Sequence, residues 1–482
     1  MKRRNILWLT MDHVTFHQLR CLGGAHPVLS TYDMLCREGY QFDQCKSVHP
    51  LCLPCRASML TGLYPHHHGH ERNKPFEDAV KPGNPMQLLK ENGYQLAYFG
   101  KNHSGYEDIT EFGFEGWAPP SYGNPYRSEA YAQFLKENGY EHPLYHQQWH
   151  MRPTRLGFSG FTDDVHDLTQ EDDFNQNNAG YLENSQPVHE SDFLVWMAEK
   201  WLRTHADQPF VLRVDTWGPH HAYQPPLSAC AMVDESKIEL PPSLRMDCSQ
   251  RPKFSQRFLK HCVDDMPSRD DATFRMLLHR AYAQYTYIDQ AFGRLIAFLK
   301  EMGVEKDTAI IMTADHGDAL ATAGGLFDKS GDLQEELMDI PMVVYDPWSK
   351  TPHKVESLTS NLDVAPTVLD LAGIPVPENL DGRSLLALAE GRISPRERLM
   401  CEHYGHFNTY SLQRAIYEGD YKYIATQDDL EQLYAIKDDP FEMHNLANEP
   451  QYAEVLKHMR DILAQERART GDTQTHYEKE EA

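Results

Sequence analysis

The stretch Cys52-Leu53-Pro54-Cys55-Arg56, followed by Leu60-Thr61-Gly62, places a thiol, a proline and a guanidinium within about one helical turn. Pro54 presets the first turn of a helix, and Gly62 can end it. Cys52 then sits at the helix N-terminal end, where backbone N–H groups and the dipole favour an anion, and Arg56 can reach back to that same anion. Cys52 and Cys55 also form a Cys-x-x-Cys pair, which by itself reads as half of a zinc or redox site. No second Cys-x-x-Cys occurs in the chain.

Four further clusters lie at the ends of apolar runs. Asn5–Met11 ends in Asp12-His13, and Tyr94–Phe99 in Gly100-Lys101-Asn102-His103. Pro209–Asp215 leads to Trp217-Gly218-Pro219-His220-His221, and Thr308–Ala314 to Asp315-His316-Gly317-Asp318. Buried strands that deliver polar residues at their C-terminal ends are where α/β sheets build sites. Lys101 and His103, two apart on an extended segment, share one face and can address one anion. Asp315 and His316 offer an oxygen and a nitrogen to a divalent ion. The run His66-His67-His68 is a poorer chelate, because adjacent side chains point in different directions.

In this order the motifs resemble the sulfatase family: formylglycine-dependent hydrolases of the alkaline phosphatase superfamily, near phosphonate monoester hydrolases and choline sulfatases. The resemblance implies that a formylglycine-generating maturation enzyme oxidises Cys52 to formylglycine, whose hydrated form is the nucleophile. It implies that Asp12, His13, Asp315 and His316, with an oxygen of modified Cys52, hold one divalent metal ion. Lys101, Lys329 and Arg56 would neutralise the anion, and His103 would act on the hydrated aldehyde. His220 would protonate the leaving group, with its neighbour His221 as the alternative, and Asn73 would lie near the substrate. His13 stands where many members carry a second aspartate, which leaves metal and substrate subclass open. An oxygen shell favours Ca2+, whereas two imidazoles move the expectation toward Mn2+.

The elements between these motifs predict an α/β fold: an alkaline phosphatase-like, mainly parallel mixed sheet sandwiched by helices, with a small C-terminal α+β subdomain. With 482 residues, 40% hydrophobic, the chain suffices for one large core or two domains. We place a catalytic domain at 1–389 and a C-terminal subdomain, with a small antiparallel sheet and a last helix, at 390–482. Ser191–His205 reads as a helix capped by Ser191 or Asp192. Glu335–Pro341 together with Met342–Pro347 reads as strand. Residues 104–190 read as a weakly patterned insertion that shapes the substrate region.

The formal net charge of −25 argues against nucleic acid and anionic membrane surfaces as partners. An anionic substrate must then be attracted locally, by a metal and clustered Lys, Arg and His. No apolar run is long enough to cross a membrane. Asn5–Thr10 is too short for a signal-peptide core, so a cytoplasmic location is expected. Nine scattered cysteines fit reduced thiols. The expected substrate is a small anionic ester, and the sequence is compatible with a homo-oligomer. The leading reading is a sulfate ester hydrolase. The alternatives are a phosphonate monoester or phosphodiester hydrolase on the same scaffold, and a non-catalytic metal-binding protein in which Cys52 stays a thiol.

Overall fold

Asn5–Met11, Phe210–Asp215 and Thr308–Ala314 are buried along their whole lengths, as expected of strands covered on both faces of a parallel sheet. The computed structural model describes residues 3–73, 84–106, 108–119, 123–150, 160–171, 178–263, 266, 268–329, 332–349, 351–406 and 409–474. In chain order the strands are β1 (Asn5–Met11), β2 (Tyr40–Lys46), β3 (Gln95–Gly100), β4 (Glu115–Trp117), β5 (Leu144–His150), β6 (Gly160–Asp167), β7 (Asn178–Leu182), β8 (Phe210–Asp215), β9 (Thr308–Ala314), β10 (Met342–Tyr345), β11 (His353–Ser360), β12 (Arg398–His406), β13 (Thr409–Glu418), β14 (Tyr421–Thr426) and β15 (Gln432–Ala435).

Eight of these form the main sheet, in the order β11-β2-β10-β9-β1-β8-β3-β4. All its pairings are parallel except those that β10 makes with β2 and β9. Helices flank the sheet. The long Asp271–Glu301 helix packs on Glu190–His205 and Ser30–Glu38, while Cys52–Thr61, Pro85–Glu91 and Val364–Leu371 form a second mutually packed group. The mixed, mainly parallel α/β expectation therefore holds.

Four C-terminal strands make an antiparallel meander, β12-β13-β14-β15. Their alternation serves two cores. Met400, Ile416, Tyr423 and Leu433 meet Leu456, Met459, Ile462 and Leu463 of the Ala453–Thr470 helix, together with Val48, Tyr64 and Leu362. Their sequence neighbours Leu399, Cys401, Ala415, Tyr417, Ile424 and Tyr434 turn to the other face, onto Leu333, Leu337 and Met338. A period-two pattern buried on both faces fixes the pairing register of these strands.

Three local expectations change. The stretch 104–190 contains a small antiparallel sheet, β6-β5-β7, and a helix at Glu129–Asn138. In β5 the buried residues are Tyr145, Gln147 and Trp149, an alternation concealed by histidine and glutamine. Glu335–Met338 is a helical turn, and the strand begins at Met342. The helix at 190 is capped two to three residues earlier than expected: His189 accepts from Ser191 N–H, and the Asp192 carboxylate accepts from His189 N–H.

Candidate active site

Four adjacent parallel strands, β9-β1-β8-β3, end at one level. Thr10 is in register with Thr313 on one side and Asp215 on the other, and Asp215 with Gly100. The residues that follow, Asp315-His316, Asp12-His13, the Thr216–His221 loop and Lys101–His103, therefore project from one edge. Gly100 permits the close fit of β3 on β8. Its φ is +118°, and a Cβ there would lie 1.8 Å from the Asp215 carbonyl oxygen.

The Cys52–Thr61 helix points its first residue at this edge. All ten of its residues are buried, and Gly62 ends it in the left-handed conformation with φ +70°. Its N-cap, Leu51, offers no side-chain acceptor. Asn73 substitutes from beyond the helix, accepting Leu53 N–H at 3.1 Å.

The Cys52 sulfur lies 3.0 Å from His316 Nε2, 3.8 Å from Lys101 Nζ and 3.9 Å from Asp12 Oδ1. Burial pushes its pKa up, but Lys101, Lys329 and His316 overcome this and hold the thiol well below its ordinary value. Burial, then repulsion by Asp315 and Cys52, lifts Asp12 to about 7. Burial drives His103, which also hydrogen-bonds Cys52, down to about 4. Burial opposes charge on His316 too, yet Asp315 and Cys52 raise it to about 8.

Arg56 is fully buried and spans four strand ends. Nε donates to Asp315 Oδ2 at 2.8 Å, Nη1 to Asp215 Oδ2 at 2.7 Å and to the Lys101 carbonyl at 2.9 Å, and Nη2 to Asp12 Oδ2 at 3.2 Å. Asp215 is in turn held by Arg213 through Nε at 2.9 Å and by Tyr98 Oη at 2.8 Å. Arg213 lies over the Trp8 and Tyr98 rings.

Among the described residues, the metal-type donors fall into two groups. Asp12, Cys52, Asp315 and His316 each bring one ligand atom to within 4.8 Å of the others, and all are buried. This set fits a hard divalent cation: two carboxylates are forced together, one of them with a raised pKa, and a cation would relieve their repulsion. His13 is not in this group. Its N–H caps Asp315 Oδ1 at 3.0 Å, its φ is +72°, and its ring turns away to join His220, His221 and Asp328.

A sequence model of the sulfatase family matches residues 4–374, and a model described as the C-terminal part of N-sulphoglucosamine sulphohydrolase matches 323–469. The chain belongs to the sulfatase family. It is a sulfuric ester hydrolase of the alkaline phosphatase superfamily. The uncharacterized sulfatase YidJ of Escherichia coli strain K12 is 26% identical to it, over 96% of this chain and 87% of that protein. The phosphonate monoester hydrolase SpPMH from Silicibacter pomeroyi has the same fold, with a TM-score of 0.77 at 22% identity, covering 98% of this chain and 96% of that one. BT4656, solved in complex with D-glucosamine-2-N,6-O-disulfate, gives a TM-score of 0.72 at 21% identity, over 98% and 99%.

In this sulfatase the residues singled out from sequence gather around one point, with different surroundings. Cys52, Lys101, His103, Asp12, Asp315 and His316 meet directly. His220 and Lys329 meet each other beside them, Lys329 Nζ lying 2.7 Å from His220 Nε2. His220 Nδ1 donates to the His221 carbonyl at 2.6 Å, which leaves Nε2 as acceptor for the lysine. Arg56 lies behind the carboxylates, with its donors engaged by them, and Asn73 reaches the first turn of the Cys52 helix. His66, His67 and His68 go to separate partners: Glu402, Asp381 and Ser58. Sequence reading missed Arg213, Asp215 and Asp328. The signal was present in Phe210-Val211-Leu212-Arg213-Val214-Asp215, where two opposite charges interrupt a strand otherwise fit for burial.

Proposed function

We propose that this enzyme hydrolyses a sulfate ester using formylglycine made from Cys52 and a divalent cation, Ca2+ or Mn2+, held by Asp12, Asp315 and His316. The supporting observation is the setting of Cys52: a buried helix N-terminus, flanked by Lys101, His103 and His316, at the level where four strands end. The bound cation supplies Lewis-acid polarisation of a sulfuryl oxygen, and formylglycine supplies the attacking hydroxyl. The chain's own groups do the rest. Lys101 and Lys329 bring positive charge to the developing anion. Arg56 acts as a positioning residue, fixing Asp12 and Asp315 to each other and to β8. The Lys329–His220 pair, joined at His220 Nε2, delivers a proton from the lysine ammonium to the departing ester oxygen, and His103 handles protons at position 52. We assign this site to a catalytic domain of residues 1–389, supported by a 390–482 subdomain.

Hydrolysis of a phosphonate monoester or phosphodiester is the second reading. It is favoured by His13, a neutral side chain beside Asp12 that turns toward His220 and Asp328, which lowers the negative charge facing the substrate.

The test uses protein produced with a maturation enzyme. Intact-peptide mass reads conversion at position 52, and turnover of aryl sulfate is compared with phenyl phosphonate. We expect a mass lower by about 18 Da than the cysteine peptide, and faster aryl sulfate turnover that Cys52→Ala lowers by at least about a thousandfold in a folded protein. Full activity in Cys52→Ala overturns the mechanism, and faster phenyl phosphonate turnover selects the second reading.

A further inference from the structure

We propose that Asp318 is a positioning residue for the reaction assigned above: its carboxylate closes the Asp318–Asp328 loop and ties it to the loop after β8, so that the Lys329 ammonium is held on His220. This rests on the Lys329–His220 pair acting as proton donor. Asp318 ends the Asp315-His316-Gly317-Asp318 motif, yet it lies outside the Asp12, Cys52, Asp315 and His316 group.

The loop after β9 has an unusual backbone. Four of its non-glycine residues take positive φ: Leu320 at 40°, Ala321 at 68°, Ala323 at 45° and Asp328 at 70°. Leucine and alanine have no intrinsic preference for this region, and such conformations persist only where surrounding contacts impose them. They gather at working sites for that reason.

Asp318 supplies contacts at both ends of the loop. Its Oδ1 accepts Leu320 N–H at 3.0 Å and Asp328 N–H at 2.8 Å. Its Oδ2 accepts the Tyr223 hydroxyl at 2.8 Å. Tyr223 stands two residues after His221, and its backbone is fixed on β7: Gly180 N–H donates to its carbonyl at 3.0 Å, and its own N–H donates to the Asn178 carbonyl at 3.1 Å. Asp318 and Tyr223 are both buried. Gln18 Nε2 adds bonds to the Ala319 and Leu320 carbonyls, at 3.2 and 2.7 Å.

One carboxylate thus sets both members of the pair. Lys329 directly follows the loop, and its Nζ lies 3.0 Å from Asp328 Oδ1 and 2.7 Å from His220 Nε2. When the ester sulfur–oxygen bond breaks, its electron pair stays on the departing oxygen, which takes one proton from the ammonium and leaves as the alcohol. General acid catalysis needs that proton within hydrogen-bond reach. A strongly basic phenolate depends on it, whereas an electron-poor nitrophenolate leaves without it.

The test compares phenyl sulfate with 4-nitrophenyl sulfate, using full-length protein whose conversion at Cys52 is verified by peptide mass. Asp318→Ala should lower kcat at least about 100-fold on phenyl sulfate but less than about tenfold on the nitrophenyl ester. Hydrogen exchange at the Leu320 and Asp328 amides, which needs no turnover, should quicken in the same variant. Asp318→Asn keeps a carbonyl for both amides and an NH2 that can donate to Tyr223 Oη, so it should return to within about tenfold of wild type on both esters. Where Asp318→Ala fails to fold, Tyr223→Phe replaces it, with a smaller loss that again falls mainly on phenyl sulfate. Lys329→Met should also lose more on phenyl sulfate. Equal losses on the two esters in the Asp318 or Tyr223 variant, unchanged exchange at both amides, or no recovery in Asp318→Asn overturns the positioning role. Equal losses in Lys329→Met overturn the acid assignment itself, and this inference with it.

Discussion

Arg56 shows how one side chain can organise a site without facing it. Its fork meets carboxylates delivered by β1, β8 and β9, and Arg56 and all three partners are fully buried. Burial alone would lower the pKa of such a guanidinium, but Asp315, Asp12 and Asp215 raise it well above its usual value. Breaking a buried ion pair by removing one partner costs about 3–5 kcal/mol, because the remaining charges stay buried. We expect Arg56→Met to lower unfolding stability by about that amount in urea titrations. Arg56→Lys should recover little, since an ammonium cannot bridge three carboxylates in a planar fork. Wild-type stability in Arg56→Lys would contradict the bracket role.

Among the elements, β3 and β8 are tightly constrained. Lys101 and His103 reach Cys52 because Gly100 lets the two strands close at their ends. Gly100→Ala sets a methyl group against the Asp215 carbonyl in a conformation that favours glycine. The strands must part, at a cost of about 1–3 kcal/mol. The loss in kcat should exceed what that stability change explains, because Lys101 moves with the strand; an unchanged kcat would refute the coupling. At this level the sequence was readable wherever a strand is buried on both faces, as in β1, β8 and β9. It was less readable in β5, where Gln147 and the histidines conceal an alternation completed by Tyr145 and Trp149. The helix at 190 was legible, but its cap was not: a histidine acting as N-cap carries no strong sequence signal.

For the whole molecule, buried acids with raised pKa values make stability depend on pH. Glu190 accepts Gly218 N–H at 3.0 Å at the start of the loop that carries His220. Burial raises its pKa from 4.5 to about 8. The folded state then binds a proton across that window that the unfolded state has released, so stability falls as pH rises through it. We expect the melting temperature to fall as pH rises from 6.5 to about 8. Glu190→Gln, which keeps an acceptor for Gly218, should flatten part of that fall. An identical slope in the variant would show that Glu190 does not carry it. Buried neutral histidines such as His17 and His103, both lowered to about 4 by burial, act in the other direction below pH 6.5.

The sequence by itself determined which residue types stand at which strand ends. Runs such as Thr308–Ala314 admit no exposed face, and the polar residues after them must emerge at the sheet edge. It also determined the order of the motifs, and with them the α/β class and the sulfatase family. Tertiary structure decided who meets whom. That Arg56 holds Asp12, Asp215 and Asp315, and that His13 leaves Asp12 for His220, His221 and Asp328, depends on strand order and on the left-handed turn at His13. Both are set by contacts between segments hundreds of residues apart, for which local spacing has no code.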